Sequence, residues 1–164
     1  MQEKDINKLI EKTVKDGGTL TLLYFDLHGN QKEVLQKLGV GFVQKILQEP
    51  GVKYAQGEID EPMAGKDMYS TTVEVKVLTK DLVTLARLCA NHSPFSVDVL
   101  QPSEFVLSIS DLHEILMYLG AVTHDYKTYI MEKVASQEEK ERYRKNAEER
   151  IKAGEKLLGK KEAG

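Results

Sequence analysis

The clearest hydrophobic pattern in the chain lies at residues 19–27, Thr-Leu-Thr-Leu-Leu-Tyr-Phe-Asp-Leu. Alternate side chains of a β-strand point to opposite faces, and here both sets include apolar side chains. Such a strand lies in the middle of a sheet and is covered on both faces. Gly17-Gly18 before the segment and Gly29-Asn30 after it mark its two ends. The pattern therefore predicts a central β-strand.

The other elements are predicted from helical spacing and from strand alternation. Helices are predicted over 3–16, over 31–48, and after Thr79, which is expected to cap a helix with Asp81 in its first turn. Strands are predicted over 52–60, 68–78 and 95–100, with Val97 and Val99 facing inward, and 104–109 is expected to be extended. A helix is expected to begin at Asp111, to break or kink at Gly120, and to continue to Val134, and a charged helix follows from Gln137.

The order of these elements predicts an α+β fold. After the first helix it reads strand–helix–strand–strand–helix–strand, which is the ferredoxin-like split βαβ sandwich, βαββαβ. We expect residues 1–109 to form this domain with its N-terminal helix, and residues 110–164 to form a C-terminal helical extension. Both crossover helices would cover one face of the sheet. The other face would be covered by the remaining helices or by a second copy of the chain.

A short segment resembles a known kind of module. Gln48-Glu49-Pro50-Gly51-Val52 leads from the second helix into a strand that contains Gly57. This joint resembles the helix–Pro-Gly-Val–strand joint of Lrp/AsnC effector domains and ACT domains, which are small ligand-sensing modules of ferredoxin-like topology. The resemblance implies ligand sensing. His28-Gly29-Asn30 stands where ACT domains have Asp-x-Pro-Gly, so no effector-binding residue is carried over.

Composition and charge narrow the possible partners. The chain has 164 residues, of which 41% are apolar and 30% are charged. Residues 1–136 hold 14 Lys/Arg and 19 Asp/Glu, a net charge of −5, whereas a nucleic-acid partner needs a clustered basic surface. No stretch approaches the roughly 18 apolar residues of a membrane span, and the charged start, Glu3-Lys4-Asp5, is not typical of a signal peptide. We therefore expect neither a nucleic-acid nor a membrane partner. The abundant Lys and Glu and the absence of Trp are typical of thermophile proteins.

Four residues are candidate ligand-binding residues. Asp26 and His28 lie on one face of the central strand, and Gly39 and Gly41 interrupt the helix predicted over 31–48. Each glycine costs about 1 kcal/mol relative to Ala inside a helix. The two glycines therefore indicate close packing on the sheet, a helix that begins only near Val40, or a backbone that approaches a ligand.

Metal and cysteine chemistry are not expected. The four histidines show no metal-ligand spacing, and we expect no metal and no cofactor. The single Cys89 lies on an apolar helical stripe, where a core thiol is the expected interpretation, and one cysteine fits a reducing cytoplasm. The carboxylates of Glu58, Glu74 and Asp98 are expected on the open sheet face, where they are either solvated or form an anionic rim.

These observations lead to one main hypothesis and two alternatives. The main hypothesis is a non-enzymatic cytoplasmic homo-oligomer that binds a small molecule or has a regulatory role. The first alternative is a small enzyme that uses Asp26 and His28. The second is a protein-interaction adaptor that uses the charged C-terminal helix.

Overall fold

The computed structural model describes residues 3–161 and shows an α+β protein. The described residues contain five helices: α1 Glu3–Lys15, α2 Lys32–Gln48, α3 Leu82–His92, α4 Ile109–Val134 and α5 Gln137–Lys161. They also contain five strands: β1 Thr19–Gly29, β2 Val52–Ile59, β3 Met63–Ala64, β4 Tyr69–Thr79 and β5 Ser96–Gln101.

The five strands form one antiparallel sheet around β1. The order of the long strands is β2-β4-β1-β5, and the two-residue β3 pairs with the end of β4. Leu23 of β1 lies opposite Val75 of β4 on one edge and opposite Val97 of β5 on the other. The prediction of a central strand at residues 19–27 is therefore confirmed.

The main core lies on the face of the sheet that α2 and α3 cover. It combines one set of alternate side chains from β1 and β4 with buried residues of the two helices: Leu23, Phe25, Val73, Val75, Val77, Ile46, Leu85 and Leu88. Cys89 packs against this cluster, and burial raises the pKa of its thiol. A thiol in such surroundings behaves as a small apolar side chain.

The opposite face of the sheet is covered at one end only. There α1 places Ile10 against Leu20 of β1 and Leu78 of β4, and the three side chains form a second buried cluster. Further along the same face, Tyr24 is half-buried and Asp26 is exposed. The N-terminal helix thus covers one end of the face for which the sequence pattern alone does not identify a covering element.

Two helix boundaries differ from the predictions. Thr79 is not the cap of α3, because its hydroxyl is bonded to the hydroxyl of Thr19 and to the carbonyl of Asp81. Asp81 is the cap instead, and its carboxylate accepts a hydrogen bond of 2.8 Å from the amide of Thr84. The expected break at Gly120 is also wrong, since α4 is one helix from Ile109 to Val134.

Two features of the strands differ as well. The turn expected between the second and third strands contains β3. The piece expected to be extended over 104–109 is not a strand: residues 104–108 belong to neither a helix nor a strand, and Ile109 begins α4. Val97 and Val99 lie opposite Leu23 and Thr21 of β1, on the core face as expected. They still keep 44% and 39% of their surface exposed because β5 is an edge strand of the sheet.

The chain divides after Leu119 into two compact units. The first contains the sheet and helices α1–α3, and the second contains the end of α4 together with α5. The boundary expected between residues 109 and 110 stays a prediction. Among the described residues, no helix combines the length and the apolar character that crossing a membrane requires.

Candidate functional site

A hollow of about 450 Å³ lies between the end of β1 and one side of α2. We call it the β1–α2 groove. Its lining comes from two consecutive elements: Leu27 and His28 of β1, and Val34, Lys37, Leu38, Gly41, Phe42 and Lys45 of α2. The volume lies within the range of about 300–1,000 Å³ that is typical of small-molecule sites.

Helical spacing explains how α2 supplies six lining residues. They stand at positions i, i+3, i+4, i+7, i+8 and i+11 counted from Val34, which is one continuous stripe on a helix. A second stripe of α2 faces the sheet and buries Leu35, Gly39 and Ile46. The helix therefore has two apolar sides, and the side at the groove leaves Val34 and Leu38 44% and 52% exposed.

The two glycines of α2 have different surroundings. A Cβ atom at Gly39 would lie 2.8 Å from Cδ1 of Ile59. Carbon atoms that are not bonded to each other normally pack at about 3.5–4.0 Å, so this distance is too short. Gly39 thus allows α2 to approach β2. A Cβ atom at Gly41 would meet nothing within 4 Å. Packing explains Gly39 but not Gly41, which opens onto the groove.

The two candidate residues of β1, Asp26 and His28, also have different surroundings. His28 lines the groove, whereas Asp26 is exposed and accepts a hydrogen bond of 3.4 Å from the hydroxyl of Thr72. Of the four candidate ligand-binding residues, the structure brings together His28 and Gly41. Asp26 and Gly39 have other surroundings.

The rim of the groove is cationic. Lys37 and Lys45 are both exposed, and neither forms an ion pair with another described residue. Lys32, at the start of the same helix, is instead paired with Glu61, its Nζ lying 2.6 Å from Oε1. Two unpaired ammonium groups beside apolar side chains favour a ligand that has an apolar body and an anionic group.

Backbone groups of β1 are also available beside the groove. β5 pairs with β1 only over Leu20–Tyr24, whereas β4 pairs with it along its whole length to Gly29. The last contact on the β5 side is a hydrogen bond of 2.9 Å from the amide of Phe95 to the carbonyl of Tyr24. In an antiparallel sheet, every second residue of a strand directs its N–H and C=O groups to the same edge of that strand. Asp26 and His28 are two and four residues after Tyr24. Asp26 and His28 therefore direct theirs to an edge on which no described strand pairs with them.

Comparison with known proteins gives one result. A family model described as the MJ0538 family matches residues 20–154. The chain belongs to the MJ0538 family. The comparisons with curated proteins and with solved structures found no match.

The part of the chain that matches the MJ0538 family contains every residue of the β1–α2 groove. It also contains other hollows, of which two compare with the groove in size or in polar lining. The first, of about 220 Å³, lies on the open sheet face. There Glu58 and Glu74 stand opposite each other, and partial burial together with the carboxylates of Glu74 and Asp98 raises the pKa of Tyr24. Among the described residues, no group of three His, Cys, Asp or Glu side chains could hold a metal ion.

The second hollow, of about 390 Å³, lies in the unit that follows Leu119, between α4 and α5, and is lined by His124, Tyr143 and Arg150 among others. None of the side chains described in that unit is buried. The walls of this hollow are therefore not fixed by a close-packed core. The β1–α2 groove is therefore the stronger candidate site.

Sequence reasoning did not identify Lys37 and Lys45 as site residues. The signal was present in the stripe from Val34 to Lys45, because this stripe is separate from the stripe that reaches the sheet. Both stripes contain large apolar side chains. Periodicity alone does not indicate which of two apolar sides of a helix is left uncovered.

Proposed function

We propose that this member of the MJ0538 family is a non-enzymatic binding module and that the β1–α2 groove is its site. One observation carries the proposal: His28 and Gly41, from two different elements, open into the same hollow, which has apolar walls and two lysines at its rim. A hollow that is mostly apolar with a few polar groups is the usual form of a small-molecule site.

The ligand class follows from the lining. The walls contain Leu27, Val34, Leu38 and Phe42, which suit an aliphatic or aromatic body. Lys37 and Lys45 supply positive charge at the mouth, which suits a carboxylate or a phosphate. The ligand is therefore a small amphipathic anion.

An enzyme that uses Asp26 and His28 has less support. Asp26 does not line the groove, and its carboxylate accepts a hydrogen bond from Thr72 instead. Covalent catalysis needs a nucleophile beside a base. The thiol of Cys89 packs against the main core, where burial raises its pKa and keeps it protonated.

The proposal includes the ferredoxin-like sandwich. With the two-residue β3 set aside, the long strands in chain order are β1, β2, β4 and β5, and their order in the sheet is second–third–first–fourth. All their pairings are antiparallel, and α2 and α3 provide the two crossovers. These features support the βαββαβ arrangement, to which β3 is an addition.

The proposal also includes a cytoplasmic homo-oligomer. Its support is the number of large apolar side chains that one chain leaves exposed from residue 106 onwards, among them Val106, Ile109, Leu116, Met117, Tyr126, Tyr129 and Val134. Exposed apolar surface on this scale is typical of interaction sites. A second copy of the chain can bury this surface, and no other protein is then required. The adaptor role of the charged C-terminal helix therefore has less support.

Thermal unfolding with octanoate and with octylammonium at pH 7 tests the binding proposal. The two probes have the same apolar chain and opposite charges. We expect octanoate to raise the unfolding temperature more than octylammonium does, because a ligand that binds only the folded state stabilises it. Equal shifts with both probes, or no shift, would contradict the proposal.

A pair of variants locates the effect. Lys37→Glu/Lys45→Glu is expected to remove the response to octanoate. Lys4→Glu/Lys8→Glu on α1 changes the net charge equally at two exposed positions, and it is expected to keep the full response. A response that survives the first variant would place the octanoate site elsewhere.

A further inference from the structure

The β1–α2 groove lies beside the part of β1 that β5 leaves unpaired. β5 ends its pairing at Tyr24, and β1 continues for five more residues, Phe25–Gly29, with β4 on its other side. Unpaired N–H and C=O groups along a strand edge are a template for the addition of another strand. In strand addition these backbone groups provide affinity, and pockets for alternate side chains provide specificity.

The same chain exposes a segment with the properties of such an added strand. Residues 104–108, Glu-Phe-Val-Leu-Ser, include the β-prone residues Phe105 and Val106 and contain neither Gly nor Pro. Residues 105–108 belong to no helix or strand, and Val106 is fully exposed. In an extended conformation Glu104, Val106 and Ser108 lie on one side.

Charge and spacing match this segment to the groove. Glu104 and Val106 on one side of a strand are about 7 Å apart, so an acidic and an apolar group are presented together. The groove offers the complementary pair, an apolar wall at Leu38 and Phe42 and the ammonium groups of Lys37 and Lys45.

The segment of one chain is too far from the groove of that chain. β5 runs antiparallel to β1 and ends with Gln101 opposite Leu20. His28 lies eight residues along β1 from Leu20, which is about 26 Å at about 3.3 Å per residue. The five residues from Gln101 to Val106 can span at most about 18 Å. Any copy of this segment that occupies the groove must come from another chain.

We infer that Glu104–Ser108 of a second copy of this chain adds as a strand to the free edge of β1, with Val106 in the β1–α2 groove and Glu104 at Lys37 and Lys45. The inference rests on the proposed function, because it names the partner of that same site. Each chain carries both a segment and a groove, so two chains form two equivalent contacts in a closed dimer. A small amphipathic anion would compete with the segment for the same groove.

Light scattering coupled to size exclusion tests the dimer. Wild-type protein is expected at twice the 18.5 kDa of one chain, and Val106→Asp at the mass of one chain. The matched control is Met63→Asp, which changes another exposed apolar side chain, 71% exposed, on β3, outside both the groove and the apolar surface that follows residue 106, and it is expected to remain a dimer. Far-UV circular dichroism and unfolding temperature show that each variant is folded. A monomeric wild-type protein, or a dimer lost in Met63→Asp and kept in Val106→Asp, would overturn the inference.

A charge exchange tests the proposed contact. Glu104→Lys is expected to weaken the dimer at least tenfold, and Lys37→Glu/Lys45→Glu is expected to do the same. The combination of all three substitutions restores opposite charges and is expected to recover most of the dimer. If the combination is as weak as the single sets, Glu104 does not meet these lysines and the inference fails.

Octanoate separates this inference from the proposed function. The Val106→Asp protein keeps an intact groove, so it is expected to bind octanoate at least as tightly as wild type, and octanoate is expected to dissociate the wild-type dimer. Octanoate binding by a protein whose mass does not respond to Val106→Asp would overturn the strand addition and keep the binding site. A dimer that responds to Val106→Asp while neither protein binds octanoate would overturn the small-molecule site and keep the strand addition.

Discussion

The two glycines of α2 can be distinguished by a single added methyl group. Gly41→Ala is expected to stabilise the protein by about 1 kcal/mol, because Ala is favoured over Gly in a helix by about that amount and nothing lies within 4 Å of the new Cβ. Gly39→Ala places a Cβ 2.8 Å from Ile59. Such overpacking costs about 1–3 kcal/mol, so this variant is expected to lose up to about 2 kcal/mol. Urea unfolding of the two variants measures both effects, and a gain at Gly39 would contradict the close approach of α2 and β2.

Asp81 provides a test that depends on pH. Burial raises the pKa of its carboxyl, but hydrogen bonds from the hydroxyl and amide of Thr84 and the charge of Lys80 lower the pKa below the ordinary 3.8. A lowered pKa in the folded state gives stability that is present above pH 3.8 and is lost as the pH falls through the folded pKa.

The substitution Asp81→Ala removes this cap. At pH 7 it is expected to cost about 1 kcal/mol, measured by urea unfolding. At pH 3 the cost is expected to be smaller, because below pH 3.8 the carboxyl takes up a proton more readily in the unfolded chain than in the folded one. An equal cost at both pH values would show that the charge of Asp81 does not contribute.

At the scale of single residues, local sequence patterns predict part of the candidate site in the β1–α2 groove. The two glycines inside an apolar helical pattern are visible without a structure, and so is His28 at the end of a strand. Which glycine is packed depends on Ile59, which lies on β2 and is distant in the sequence. That contact arises from the pairing of β2 with β4 and cannot be read from the helix itself.

At the scale of elements, α1 is the part of the fold whose role is easiest to test. Ile10 is buried against Leu20 and Leu78 on the face opposite α2 and α3. Ile10→Ala is expected to cost about 2 kcal/mol of unfolding free energy, because it deletes three buried carbons. Lys8→Ala on the exposed side of the same helix is expected to stay within about 0.5 kcal/mol. Equal effects of the two variants would show that α1 does not cover this face.

The existence of the long elements is predictable, and some of their ends are not. Strong periodicity predicts each helix and each long strand, and the order of the elements follows. Gly120 does not break α4, since one glycine costs only about 1 kcal/mol and the helix continues on both sides of it. Asp81 replaces Thr79 as the cap because the hydroxyl of Thr79 is bonded to Thr19, a partner 60 residues away.

The groove itself depends on the relative lengths of neighbouring elements. β1 has 11 residues and β5 has six, so no described strand pairs with one edge of β1 near Asp26 and His28. The predicted strands, nine and six residues long, already differ in length, and this difference was a usable signal. The position of α2 above the unpaired end is a tertiary feature that the sequence pattern does not contain.

At the scale of the whole molecule, the distribution of charge bears on the proposed function. The chain has a net charge of −3, which does not favour an anionic ligand over the surface as a whole. Lys37 and Lys45 form a local exception, and within about 10 Å such local charge outweighs the average, because salt screens more distant groups. The net charge therefore argues against an extended polyanion such as nucleic acid, but it is compatible with the binding of one small anion.

The measurement that tests the account most directly is a titration of the full ¹⁵N-labelled chain with octanoate, followed by amide chemical shifts. We expect the shifts to change for Asp26 and His28 of β1 and for Leu38–Phe42 of α2, and to stay unchanged along α5. In Lys37→Glu/Lys45→Glu these changes are expected to disappear. Changes confined to the hollow at His124 and Arg150, or the same changes in the lysine variant, would contradict the claim that the β1–α2 groove is the binding site.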